Sequence, residues 1–191
     1  MYSRPTIGLE GEPPCSSSDN RVGRDKGKRS KPASRWRPPP EGWTKVNVDG
    51  SFVIQTGGAG IGVVGRDNRG NVKFLACQEI LSCASAAEAE ASAVLMGVRL
   101  ATQWSPGKVL LETDCARVAH ALQAGKDRSE LGFIFREICE QASMLEEWKI
   151  VQVKRESNLV ADELAQLARR SKLCKVWLEG SPACVTHLLR T

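Results

Sequence analysis

The sequence predicts an α/β domain over residues 42–171: a five-stranded mixed sheet flanked by helices, behind a disordered basic N-terminal tail. Three observations predict it. Segments with strand periodicity come first as a group of three, then alternate with segments of helical periodicity. The turn Asp67-Asn68-Arg69-Gly70 folds two of the leading strands into an antiparallel hairpin. The later strands are reached across helices, and a meander followed by such crossovers makes the sheet mixed.

Residues 1–41 are rich in Pro, Ser, Gly and basic side chains and poor in large apolar ones. Such a segment buries too little surface to offset its ordering entropy, so it is expected to be disordered. Within it, Arg24-Asp25-Lys26-Gly27-Lys28-Arg29-Ser30-Lys31 reads as a solvated stretch, with a nuclear signal or a loose phosphate contact as the alternatives. Pro38-Pro39-Pro40 makes a stiff junction. From Thr44 onward, Val46, Val48 and Gly50 alternate with Asn47, Asp49 and Ser51, which is the period of a strand. Residues 61–65 and 72–79 supply the next two strands. A helix follows over 86–103, with Ser85 and Glu88 spaced as a capping box and Pro106-Gly107 as its stop. A fourth strand at 108–113 leads into helices at 115–123 and 131–145. The last strand and helix fall at 148–153 and 158–170, leaving 172–191 as a C-terminal tail.

Net charge is +5, carried by the ends: +4 on residues 1–41, −1 on 42–171 and +2 on 172–191. The seven cysteines are scattered and never spaced C-x-x-C, so neither a zinc site nor a redox pair is indicated, and a reducing compartment fits. Cys115, beside Asp114, is either a packed thiol or a reactive one. His120 and His187 are isolated. The apolar run at 59–64 is far short of the roughly 20 residues a membrane helix needs. The polar N-terminus lacks a signal core, so an intracellular protein of nucleus or cytoplasm is expected, neither secreted nor membrane-bound.

Gly60-Ile61-Gly62-Val63-Val64-Gly65 matches G-x-G-x-x-G, but a hairpin turn and a strand follow it where a dinucleotide site needs a helix. Glycines within a strand more often admit a close backbone neighbour.

Four acids carry the chemical argument. Winding the 86–103 helix at about 100° per residue puts Gly97, Ala101 and Val94 within about 40° of Glu90, with Glu88, Ser92, Arg99 and Gln103 opposite. Glu90 therefore lies on the apolar face, where an unpaired carboxylate is costly. A bound metal ion would neutralise it; a near-edge position or a salt bridge are the plain alternatives. Asp49 lies mid-strand, opposite Val46 and Val48. Asp114 directly follows an apolar strand, where α/β proteins gather their chemistry, though a helix N-cap explains it equally well. Asp162 falls beside Gln166 and Arg169, away from Val160, Leu164 and Leu167, and by pattern alone is a surface acid.

At these residues the chain resembles the ribonuclease H family, in particular the ribonuclease H-like domains of plant retroelements and their domesticated relatives. The segments that carry the resemblance are Asn47-Val48-Asp49-Gly50-Ser51, Gly58-Ala59-Gly60-Ile61-Gly62-Val63-Val64, Ala87-Glu88-Ala89-Glu90-Ala91, Glu112-Thr113-Asp114, and Arg155-Glu156-Ser157-Asn158-Leu159-Val160-Ala161-Asp162-Glu163-Leu164-Ala165. They span residues 43–171 in family order, with a weak extension through Val176-Trp177 and Pro182. The resemblance implies that Asp49, Glu90, Asp114 and Asp162 are catalytic and hold two Mg²⁺ ions about 4 Å apart, with Mn²⁺ as an alternative. It also implies that Gly50, Ser51 and Asn158 contact nucleic acid, and that a monomer cleaves the RNA strand of RNA–DNA hybrids. Removing the four acids would leave residues 42–171 at +3, compatible with a nucleic-acid partner, hybrid or RNA.

Three departures bear on this. Gln152 stands where many members carry a histidine that moves protons, and Gln cannot titrate. Ala86 and Ala87 replace amides that bacterial members use in the minor groove. Only 34 residues separate Asp114 from Lys149, too few for the basic helical protrusion of some members. A nucleic-acid-binding module with weak or no cleavage is therefore the alternative expectation, and an interaction domain without nucleic acid the third.

Overall fold

The computed structural model describes residues 36–125 and 129–189, all within the unit Ala33–Thr191. The tail expected to be disordered lies, through residue 35, outside the described residues, and the basic run 24–31 with it.

Three strands come first: β1 (Trp43–Val53), β2 (Gly58–Arg66) and β3 (Val72–Ile80). After α1 (Ala86–Trp104) and β4 (Lys108–Thr113) come α2 (Ala116–Ala124), α3 (Gly132–Ala142) and β5 (Glu147–Gln152). A one-turn 3-10 helix (Arg155–Ser157) leads into α4 (Leu159–Ser171), and β6 (Cys174–Trp177) and the short α5 (Ala183–Thr186) close the chain. The strands are ordered β5-β4-β1-β2-β3-β6. β1 runs parallel to β4 and β4 to β5, whereas the β1–β2, β2–β3 and β3–β6 pairs are antiparallel. The sheet is mixed, as expected, and β1 lies at its centre.

Helices cover both faces. On one, Val46, Val48, Val63 and Phe74 pack with Val94, Val98 and Ile138 of α1 and α3. On the other, Val64, Leu75 and Cys77 pack with Val160, Leu164 and Ala168 of α4 and with Val185 of α5. Half of the capping box forms: Glu88 N donates to Ser85 Oγ at 3.2 Å, while the Glu88 carboxylate accepts from Ala84 N at 2.7 Å, one residue ahead of the N-cap. No helix among the described residues is long and apolar enough to cross a membrane.

The sheet has one strand more than the five expected. Lys172, with a left-handed φ of 50°, ends α4 and turns the chain back, and Lys175 and Val176 pair with Cys77 and Ala76 of β3. Four residues are too few to show a strand period, and the energy that holds them comes from distant partners. Trp177, Val185 and Leu188 join the α4-side core. Of segment 172–191, expected as a tail, the described residues 172–189 thus add an edge strand and an apolar cover. At the other end, residues 36–40 of the expected tail pack too: Pro39 is buried, and Trp36 stacks on the Arg66 guanidinium at 3.8 Å.

The stretch that imitates a dinucleotide loop lies wholly in β2, and its glycines serve packing. A Cβ at Gly62 would overlap the Ala161 carbonyl oxygen and lie 2.5 Å from the Ala165 nitrogen; one at Gly60 would lie 2.6 Å from the Arg169 nitrogen. The α4 backbone thus rests directly on the sheet. The obstructing atoms are backbone and cannot swing aside, so Gly62→Ala is expected to cost at least about 3 kcal/mol, the upper end for overpacked cores. Urea denaturation measures it; an unchanged midpoint would refute the contact.

Candidate metal centre

Asp49 lies on β1, with 5% of its surface exposed. It shares its face of the strand with Lys45 and Asn47, while Val46 and Val48 point into the α1-side core. Gly50, the next residue, sets the height of α1: a Cβ there would lie 2.5 Å from the carbonyl carbon of Ala89 and from the nitrogen of Glu90. The first turns of the helix can therefore press against β1, which delivers the half-buried Glu90 beside Asp49. Asp114 follows the last residue of β4.

Carboxylate oxygens of Asp49, Glu90 and Asp114 all lie within 4.8 Å of one another. The N-cap alternative for Asp114 is not realised: Cys115 caps α2, and its N–H goes to Thr113 Oγ1 at 3.0 Å. Asp162 stands outside this group of three. It sits in the first turn of α4, its side chain 13% exposed, and pairs through Oδ1 with Arg155 Nη2 at 3.1 Å. Its charge still reaches Asp49 and Asp114.

The electrostatics are those of crowded, dehydrated anions. Burial first, then the charges of Asp114 and Asp162, push the Asp49 carboxyl up to about 7, against Arg155 and a hydrogen bond from Asn158. Burial, then Asp49 and Asp114, push Glu90 up to about 9, against the Gly50 N–H and Thr113. Asp114 is raised too, chiefly by burial. These are oxygen donors only, closely grouped, and unstable as bare anions, the donor set a hard divalent cation requires.

A buried polar network underlies the centre, and sequence reasoning missed most of it. Asn158, 1% exposed, donates from Nδ2 to Val48 O at 2.9 Å and to Asp49 Oδ1 at 3.4 Å. Its Oδ1 accepts from Asn47 Nδ2 at 3.3 Å, which also donates to Glu112 Oε2 at 2.8 Å. Lys45 pairs with Glu112 Oε1 at 2.6 Å, and Arg66 Nη2 and Trp36 Nε1 both donate to Asn47 Oδ1. Asn158, expected to contact nucleic acid, holds Asp49 to β1 through these bonds. Ser51 accepts from Arg169 Nε at 3.0 Å, and Gly50 and Ser51 are half-buried.

Gln152 ends β5 opposite Thr113, is exposed, and so stands next to the Asp114 strand end. Ala86 and Ala87 open α1 without an amide to offer. Cys115 packs against the α1-side core, and burial pushes its thiol up. His120 is exposed on α2.

Comparison with known proteins gives a consistent set. The family profile described as reverse transcriptase-like matches residues 47–168. A predicted ribonuclease H protein of Arabidopsis thaliana is 34% identical over 158 residues, covering 81% of this chain; the chain spans 25% of that relative's length. Among solved structures, RNase H1 of the halophilic archaeon Halobacterium salinarum superposes with a TM-score of 0.64 at 23% identity, over 68% of this chain and 99% of its own. An RNase H1 isolated from compost, solved with an RNA/DNA hybrid, superposes with a TM-score of 0.62 at 23% identity, over 68% of this chain and 98% of its own. At these identities the structures establish the shared fold.

The raised carboxyl groups set a pH dependence. A carboxyl whose folded value exceeds its unfolded one binds more protons when folded, so its contribution is complete below the unfolded value and is lost as pH rises through the folded value. For Asp49 that window runs from the ordinary 3.8 to about 7, and for Glu90 from 4.5 to about 9. Urea midpoints in chelator should therefore fall between about pH 5 and pH 9, and Asp49→Asn should flatten the decline. A stability that rises over this range would contradict the crowding.

Proposed function

The chain belongs to the reverse transcriptase-like family of ribonuclease H-like domains, and from that premise we propose that it hydrolyses the RNA strand of RNA–DNA hybrids at a two-metal centre. The observation that carries this reading is the convergence of Asp49, Glu90 and Asp114 from a strand, a helix and a strand end into one shielded group. Asp162, in the first turn of α4 within the field of Asp49 and Asp114, completes the set.

Two oxygens sharing one Mg²⁺ at about 2.1 Å each stand at most about 4.2 Å apart. The 4.8 Å limit on the three oxygens leaves only a small closure to reach that. Asp49, Glu90, Asp114 and Asp162 are the residues that would hold the ions, Mg²⁺ first and Mn²⁺ as an alternative. When bound, such ions lower the pKa of the attacking water and offset charge on the leaving 3′-oxygen. Asn158 keeps the Asp49 carboxylate in place, and the Gly50 N–H and Thr113 hydroxyl orient Glu90. The reaction adds water across the phosphodiester and breaks the bond from phosphorus to the 3′-oxygen. RNA is distinguished from DNA at such a site through its 2′-hydroxyl.

Gln152 lies where it can donate a hydrogen bond beside Asp114 but cannot move a proton, so turnover is expected to be slow. The same residue favours the second reading, a hybrid-binding module with weak or no cleavage. A labelled RNA–DNA hybrid with Mg²⁺ separates the two. Cleavage that falls by more than about 100-fold in Asp49→Asn, beyond the usual effect of losing an outer-shell partner, supports the enzyme. Salt-sensitive binding in Ca²⁺ without cleavage in Mg²⁺ supports the module. Equal product from wild type and Asp49→Asn would refute catalysis at this centre.

A further inference from the structure

The fourth acid differs from the other three in having a cation of its own. Arg155 opens the 3-10 turn between β5 and α4, and its Nη2 lies 3.1 Å from Asp162 Oδ1. Exposure is lopsided: the Arg155 side chain is 68% exposed, that of Asp162 13%. The guanidinium thus lies over the acid from the solvent side, while the acid faces the centre. Among the described residues, Arg155 is the basic group whose field reaches Asp49, Asp114 and Asp162 together.

The backbone beneath Arg155 is fixed. Asn158 N donates to Arg155 O at 2.8 Å, and the Asn158 side chain ties that turn to Val48 of β1. The side chain can therefore leave Asp162 without any change in the fold. Exposed ion pairs are also weak, because water screens them and two long side chains lose freedom in making them.

Charge balance favours the exchange. Four ionised carboxylates carry four negative charges, which two divalent ions balance. With the guanidinium still on Asp162, a second divalent ion would bring a positive excess, and one oxygen of Asp162 would already be taken. We propose that Arg155 is the exchangeable counter-ion of Asp162, holding that carboxylate until a second divalent cation displaces it. This rests on the metal-centre reading above. Arg155 is here a positioning residue: it decides how readily Asp162 is surrendered and forms no bond to the reacting atoms. The Arg155 charge stays on the protein at all working pH values, so at fixed pH the competition answers to cation concentration and ionic strength.

Calorimetric titration of the full chain with Mn²⁺, in the absence of nucleic acid, reads this directly. The weaker binding step should tighten about threefold to fivefold in Arg155→Ala and stay near wild type in Arg155→Lys, the range an exposed pair allows. The gain should vanish when Asp162→Asn is added, and shrink at high salt. Unchanged or weaker Mn²⁺ binding in Arg155→Ala would overturn the proposal, as would a gain that survives in the double variant. Asp49→Asn guards the underlying reading. If it abolishes uptake while Arg155→Ala matches wild type, only the counter-ion role falls. If wild type and Arg155→Ala both take up no Mn²⁺, the metal centre falls with it.

Discussion

The contact between α1 and β1 at Gly50 determines where the chemistry can be. Asp49 precedes that glycine and Glu90 follows Ala89, the residue whose backbone rests on it. A side chain at position 50 would lift the helix and separate the two carboxylates. The α4 helix meets β2 in the same way at Gly60 and Gly62, which brings Asp162 down toward Asp49 from the opposite face. Two helix–sheet contacts stripped of side chains, one on β1 and one on β2, thus clamp the middle of the sheet from its two faces. The acids are held together by backbone packing, which their mutual repulsion opposes.

That repulsion is answered from below by buried basic side chains. Lys45, Arg66 and Glu112 are buried together with Asn47 under the centre, a group with a net positive charge. Burial brings the Arg66 guanidinium down to about 10, its Nε has no hydrogen-bond partner among the described residues, and its face is covered by Trp36. Such a cluster is costly to bury, and it fits a site where several negative charges must be tolerated a few ångströms away. Asn158 joins the two layers, one hydrogen bond reaching Asp49 and another Asn47. Residues 36–42 are therefore part of the domain, since Trp36 donates to Asn47 and covers Arg66 in this network.

Much of this was legible in the sequence, and the exceptions have physical causes. The phase of Glu90 could be read because helical geometry ties it to Val94, Gly97 and Ala101, and α1 does lay those residues against the sheet. The hairpin, the Ser85 cap and the refusal of the glycine motif rest on equally local rules. Asp162 was not legible from its helix, because the side it occupies is covered by other carboxylates and an arginine, which apolar periodicity does not register. The polar alternation of Lys45, Asn47 and Asp49 reads as a solvent face; their partners Glu112 and Asn158 come from 65 to 111 positions away. Strand β6 escaped for a related reason: its four residues gain their order from β3 and α4, not from their own pattern.

The account turns on carboxylates that are forced together and remain ionised only with divalent cations among them. Carbon-13 NMR titration of the Asp49 and Glu90 carboxyl groups, with and without Mg²⁺, tests this most directly. Without the ion, Asp49 should titrate near 7 and Glu90 near 9. With saturating Mg²⁺ both should stay ionised down to about pH 5, because a bound cation reverses the local charge balance. Titration curves that coincide with and without Mg²⁺ would contradict the account.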